Sequence, residues 1–407
     1  MIIQGRLLLN PEHRPPLGWL RIENGRIAEF EEGSPPGRVD AGGPDRLITP
    51  GFIDAHIHLP QVERIGHDGL PLLEWLDRVI FPAEQRWRDV EAATRDTHLA
   101  VERMISTGTL GFAGYLTSHD TGFDATTRVM TTTPLRAIAG RVLMDRAAPD
   151  ELIRHEWNEA RLTPDESAAR LEWSVNPRFA IACGDPTLRR AARVAGDEGR
   201  WIQTHLAETP DERRRVLELF PDDEHYTGVY DRCGLLGPRT ILAHAIHLGP
   251  GEWDLIAERQ CVIAHCPTAN LFLSAGLFDL RAARDRGIRV VLGSDVAAGP
   301  DFSMPRVARG MIEVAKMRRL TLDERAVVPT PAEAWKMITL GAAEALGWND
   351  GGRLDAGAAA DLLVLRTSFD LDDEALIGRL LYEWSPKWIE HPIVHGAPVS
   401  QDGRSYE

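Results

Sequence analysis

The sequence predicts an α/β fold, a distorted (β/α)8 TIM-type barrel with a small β-sandwich domain formed by the N- and C-terminal segments. Three observations predict it. Eight short apolar runs with strand character, at 51–57, 109–115, 135–143, 171–182, 201–207, 240–245, 261–266 and 288–294, alternate with amphipathic stretches of helical length. Histidine or aspartate recurs at the carboxyl ends of several of these runs, where a parallel β/α barrel gathers its functional groups. Both chain ends read as strand and turn, and neither alone has enough strands to bury a face, so the two are expected to pair. The expected division is 1–48 with 353–407 for the composite domain and 49–352 for the barrel.

In chain order, the N-terminal segment carries an Asn24-Gly25 hairpin signal, followed by Pro and Gly punctuation over 33–44. The first barrel run ends in His56 and His58. Residues two apart on a strand share a face, so both imidazoles can reach one ion from a strand end, whereas a helix would want a spacing of three or four. Alone, the pair could be incidental beside the Pro50-Gly51 turn. Matching groups follow: His205 in Trp201-Ile-Gln-Thr-His, His244 in Thr240-Ile-Leu-Ala-His, and Asp295 after Arg289-Val-Val-Leu-Gly-Ser. Each could singly be a satisfied core group. Recurring at one structural position after successive strands, they read as a site on the C-terminal face of the barrel. After Gly351, the stretch Gly352-Arg-Leu-Asp-Ala-Gly-Ala-Ala-Ala-Asp-Leu-Leu-Val-Leu returns to strand and turn.

One divalent ion held by His56, His58, His205 and Asp295 is the natural arrangement. Two-metal barrels bridged by a carboxylated lysine take that lysine from the fourth strand, and the first lysine here is Lys316. Imidazole-rich ligation suits Zn2+, one per chain, with Fe2+ the other candidate. His244 is then either a further ligand or a hydrogen-bond partner of the metal-bound water; the open position a catalytic site needs favours the partner role. Glu208 follows His205 by three positions, where strand turns into loop. It could cap a helix or lie on the surface. Beside the ion, its carboxylate can instead carry a proton from water to a substrate nitrogen.

Composition agrees with a soluble, cytoplasmic enzyme. The 407 residues, 43% hydrophobic, fit one barrel plus a smaller module. A net charge of -15 speaks against a nucleic-acid partner, which would need a basic stripe. No apolar stretch reaches the roughly 20 residues of a membrane span, and the start lacks a signal-peptide layout. The four cysteines, Cys183, Cys233, Cys261 and Cys266, form no Cys-x-x-Cys pair and are expected to be reduced and mostly packed.

Several separated blocks make the chain resemble the amidohydrolase superfamily and, within it, the guanine deaminases: Pro50-Gly-Phe-Ile-Asp-Ala-His-Ile-His-Leu-Pro-Gln61, Leu73-Glu-Trp-Leu-Asp with Phe81-Pro-Ala-Glu84, Asn176-Pro-Arg-Phe179, Gln203-Thr-His-Leu-Ala-Glu208, Tyr226-Thr-Gly-Val-Tyr-Asp231, Ala264-His-Cys-Pro-Thr-Ala-Asn270 and Leu292-Gly-Ser-Asp-Val296. The metal motifs identify only the superfamily. Pro60-Gln61, the Glu-Trp-Leu-Asp and Phe-Pro-x-Glu blocks, and Arg178-Phe179 point to guanine. The resemblance implies that Gln61, Arg178, Phe179, His205, Glu208 and Asp295 contact the base, and it suggests a homodimer. Thr268-Ala269 and Val296-Ala-Ala298 depart from the family pattern and bear on pocket detail.

Chemistry supports this independently. Guanine presents O6 and N7 as paired acceptors that a guanidinium such as Arg178 can address. Gln61 carries both donor and acceptor atoms, and Phe179 offers apolar contact or plain core. The implied reaction is hydrolytic deamination to xanthine and ammonia, in purine catabolism. The metal lowers the pKa of water towards about 7, Asp295 and His244 orient it, Glu208 protonates N3, and hydroxide adds at C2. Catalytic roles thus fall to Glu208, His244 and Asp295. The alternatives are a related aminohydrolase acting on a pterin, 8-oxoguanine or an s-triazine, and a non-catalytic barrel scaffold, which would be expected to have lost ligands. The His-x-Glu with Pro-Cys-x-x-Cys of base-editing zinc deaminases is absent.

Overall fold

A computed structural model of the chain describes residues 1–154 and 170–400; the end of the expected composite domain, 401–407, lies outside the described residues. Four strands open the chain: β1 (Ile2–Leu7), β2 (Leu17–Glu23), β3 (Arg26–Glu32) and β4 (Ala41–Pro50). The β2–β3 hairpin turns at the expected dipeptide, where Asn24 (φ 49°) and Gly25 (φ 75°) take the left-handed conformation that two-residue hairpins require.

Eight barrel strands follow, β5 (Phe52–His58), β6 (Thr109–Tyr115), β7 (Arg136–Leu143), β8 (Leu171–Pro177), β9 (Trp201–Leu206), β10 (Thr240–His244), β11 (Val262–His265) and β12 (Arg289–Leu292). All eight expected runs are present, and they pair in sequential parallel order from β5 to β12. The fourth is shorter than expected. Past Pro177 the apolar residues Phe179 to Cys183 continue as a buried turn, because apolarity alone does not distinguish a buried loop from a strand. The barrel closes at its C-terminal end through the Asp295 amide donating to the His56 carbonyl (2.8 Å) and the His58 amide to the Val296 carbonyl (3.3 Å).

The chain then returns through β13 (Leu362–Leu365), β14 (Ile389–Val394) and β15 (Ala397–Pro398). These join the first four strands in one seven-stranded sheet, order β15-β14-β13-β4-β1-β2-β3, so the two chain ends combine as expected. Only the β1–β4 pair is parallel. Ile3, Leu7, Leu20, Ile48, Leu362, Val364 and Ile393 pack together beneath this sheet.

The barrel's two ends differ in kind. At the N-terminal end, Trp348 and the helix Leu340–Ala345 plug the opening against Ile53, Ile138, Ile241 and Val291. The Trp348 indole donates to Glu172 (3.1 Å) and takes the Arg136 guanidinium 4.9 Å from its ring centre. The C-terminal end stays open enough to hold the site. All four cysteines are free and buried. Among the described residues, no helix is long and apolar enough to cross a membrane.

Candidate metal centre

Strand ends deliver the candidate ligands. His56 and His58 are on β5, His205 on β9, and Asp295 lies three residues beyond β12. Three imidazole Nε2 atoms and one carboxylate oxygen converge: His58 lies 3.2 Å from His56 and 3.1 Å from His205, and Asp295 Oδ1 lies 3.3 Å from His56 and 3.5 Å from His58. Four tetrahedral donors about 2.0–2.1 Å from a zinc-sized ion would sit roughly 3.3 Å apart. The cluster therefore fits a metal ion, and a metal explains why unprotonated ring nitrogens face one another at contact distance.

The electrostatics agree. Burial first, then neighbouring positive charges, pushes His56, His58 and His205 well below the ordinary histidine range. Neutral imidazoles are what a metal requires. The Arg178 carbonyl accepts from His205 Nδ1 at 2.6 Å, leaving Nε2 free for the ion. Burial raises Asp295 to about 6, against the pull of His244 and Arg178. The Tyr115 ring, 4.6 Å from His58 and 5.0 Å from His205, walls the cluster on one side.

A second group of acid–base residues shares Asp295. His244 Nε2 is 3.5 Å from Glu208 Oε2 and 3.9 Å from Asp295 Oδ2. Asn270 Oδ1 accepts from His244 Nδ1 at 2.8 Å while the Asn270 amide faces His265 Nδ1 at 3.4 Å, which fixes the His244 tautomer and turns its Nε2 to the cavity. Glu208 is 3% exposed, and its Oε1 has no partner among the described residues. Burial, then Asp295 and Glu212, raise its carboxyl well above the usual range. It caps no helix: Thr209 and Glu212 form the capping box of the helix Pro210–Leu219.

Backbone conformation marks the same place. Ala207 (φ 48°), His244 (φ 69°), Ala245 (φ 52°) and Asp295 (φ 51°) are non-glycine residues in the left-handed region, all at the ends of barrel strands. Each costs about 1–3 kcal/mol, and such residues concentrate at functional sites. Here they turn Glu208 and Asp295 inward.

Above the cluster lies a small cavity that opens at the C-terminal end of the barrel. His58, Gln61, Arg178, Phe179, His205, Glu208, His244 and Asp295 line it, and Leu72, Trp75, Leu76 and Leu273 supply apolar walls. Every site residue expected from the sequence is thus gathered at one place, with His56 wholly buried beneath. His265 and Cys266 do not line the cavity; His265 stacks on Phe278 at 4.5 Å.

Four neighbours escaped the sequence reading. Asp54 accepts from the Ser294 amide and hydroxyl and from the His56 amide, tying the first strand to the Asp295 loop, and burial pushes its carboxyl up to about 7. Asn270 orients His244, Tyr115 packs on the ligands, and Glu84 binds Arg178. Asp54, Glu84 and Asn270 stand inside motif blocks quoted above, but their partners are distant in sequence. Tyr115 had only its strand-end position as a signal.

The amidohydrolase family model matches residues 47–399. The chain belongs to the amidohydrolase family. Within this family it is 35% identical to the guanine deaminase of Escherichia coli (strain K12), over 79% of this chain and 73% of the relative. It is 30% identical to guanine deaminase of Mus musculus, over 87% and 83% respectively. The crystal structure of guanine deaminase from C. acetobutylicum with guanine bound in its active site superposes with a TM-score of 0.89 at 25% identity, covering 98% of this chain and 99% of that one. The resemblance drawn from the motif blocks therefore extends over nearly the whole amidohydrolase chain.

Proposed function

We propose that this amidohydrolase deaminates guanine hydrolytically to xanthine and ammonia. The observation that carries the reading is the meeting, in one cavity, of a three-histidine, one-aspartate metal cluster with Glu208 and the polar pair Arg178 and Gln61. The relatives that act on guanine, and the one with guanine bound, support the substrate. Three imidazoles and a carboxylate at tetrahedral spacing support zinc, with Fe2+ as the other candidate. When bound, the ion supplies Lewis acidity that lowers the pKa of a water towards about 7.

The chain's own groups do the rest. Arg178 donates to the O6 and N7 edge of the base, Gln61 meets a second polar edge, and Phe179 contacts the ring. Asp295 and His244 orient the attacking water. Glu208 takes its proton and passes it to N3 as oxygen adds at C2. The carbon–nitrogen bond at C2 then breaks as the proton of the new C2 hydroxyl passes through Glu208 to the departing amino group, which leaves as ammonia while N3 keeps its proton and C2 becomes a carbonyl. Burial, then the neighbouring Asp295 and Glu212, raises the Glu208 carboxyl, which suits a group that holds a proton between the two transfers.

The same reading places the protein in the cytoplasm, in purine catabolism, with the barrel at 49–352 and the composite domain at 1–48 with 353–407. It also makes the protein a homodimer, supported by the exposed apolar residues Met317, Leu320 and Leu322 near the end of the helix Met304–Thr321. A substrate panel tests the function. Guanine is expected to be turned over in preference to pterin, 8-oxoguanine and an s-triazine; preferential turnover of another base would keep the chemistry and overturn the substrate.

A further inference from the structure

We propose that Glu84 is a positioning residue that sets the base-recognition edge of the pocket through Arg178 and Gln61. The proposal rests on the reading that these two residues meet the purine. Glu84 is 4% exposed and Arg178 3%. Both carboxylate oxygens of Glu84 accept from Arg178 Nη1 at 2.7 Å, and Oε1 also accepts from Gln61 Nε2 at 3.0 Å. The other end of the Gln61 amide accepts from the Ala297 backbone amide at 3.3 Å, two residues beyond Asp295. One carboxylate thereby joins the segment after β5, the end of β8 and the loop that carries a metal ligand.

The segment that delivers Glu84 is built unusually. A single α turn, Leu72–Trp75, passes into a π-helical turn, Leu76–Ile80, before the helix Phe81–Gln85. A π turn shifts the phase of the residues after it and is frequent at functional sites. Here the short helix presents two groups to one guanidinium: the Glu84 carboxylate, and the Phe81 ring 5.6 Å from the Arg178 guanidinium carbon. Glu84 occupies Nη1, whereas Nε and Nη2 of Arg178 donate to no group among the described residues. The pair offers the cavity directed N–H donors whose charge is already matched, which suits the neutral carbonyl and ring nitrogen of a base better than an anion. Gln61 is likewise held in one amide orientation.

The test compares steady-state kinetics, metal content and melting temperature of the full-length metal-loaded protein with those of Glu84→Gln and Glu84→Asp. Glu84→Gln is expected to raise KM for guanine roughly tenfold to a hundredfold, the scale of a charge-assisted hydrogen bond, while kcat stays within about threefold. Metal per chain is expected to be unchanged. Glu84→Asp keeps the charge, withdraws the carboxylate by one methylene, and is expected to raise KM as well even where Glu84→Gln folds poorly. The triple variant Glu84→Gln/Arg178→Met/Gln61→Leu is expected to have a kcat/KM no lower than Arg178→Met/Gln61→Leu, because Glu84 acts through those two residues. Unchanged KM in the folded single variants, or a further loss when Glu84→Gln is added to Arg178→Met/Gln61→Leu, would overturn the proposal. The comparison is made on whichever base the wild type deaminates, so a wild type inactive on guanine defeats the substrate reading and still leaves the role of Glu84 to be judged.

Discussion

Glu208 and His244 lie 3.5 Å apart at the mouth of the metal cluster, and their different anchoring separates their work. His244 is locked by Asn270, whereas Glu208 keeps one oxygen without a partner among the described residues, free to accept or deliver a proton. Glu208→Gln is therefore expected to retain its metal and lose roughly 10²–10⁴-fold in kcat. His56→Ala is expected to lose both metal and turnover, read by elemental analysis beside the assay. Asn270→Ala releases the His244 tautomer, and a fall of roughly tenfold to a hundredfold in kcat/KM with metal retained checks this. The residues of the candidate metal cluster could be picked out in the sequence because each stands at or just after the end of an apolar run. Asn270 and Glu84 could not, since their meaning comes from partners 26 and 94 residues away.

At the scale of elements, the barrel ends are held by contacts that sequence patterns do not display. Gly111 on β6 faces the Trp348 plug: a β-carbon there would lie 2.8 Å from the indole. Gly111→Ala is expected to destabilise the protein by about 1–3 kcal/mol in urea unfolding, an overpacking effect. On the opposite end, His119 precedes the helix Asp120–Thr132 and its Nδ1 accepts from Arg154 Nη2 at 3.1 Å, which only a neutral ring can do. Burial, then Arg154 and other arginines, lowers its pKa to about 4. Because the folded value lies below the ordinary 6.5, the unfolded chain takes up the proton first. The contribution is complete above pH 6.5 and disappears as pH falls towards 4, a loss of about 1–3 kcal/mol. His119→Gln should flatten that part of the stability profile; an unaltered slope would exclude His119 as its source. Strand positions were legible from apolar runs, and the fourth ran longest past its strand, into a turn as apolar as the strand before it.

For the whole molecule, the order of elements along the chain carried most of the fold. Eight β/α units imply a barrel whose functional groups gather at one face, and two strand-rich ends too small to stand alone must meet. The sequence could not convey that the seam closes through Asp295 and His56, so that barrel closure and ligand placement are one event. Assembly and site are coupled at this seam, and the metal should report on both. Metal titrated into chelator-stripped protein, with guanine consumption, xanthine and ammonia followed together, decides whether this chain is a metal-dependent guanine deaminase. Equal amounts of xanthine and ammonia are expected, with turnover rising to a plateau at one zinc per chain. Turnover indifferent to metal, or guanine left intact by the fully loaded protein, would rule that chemistry out.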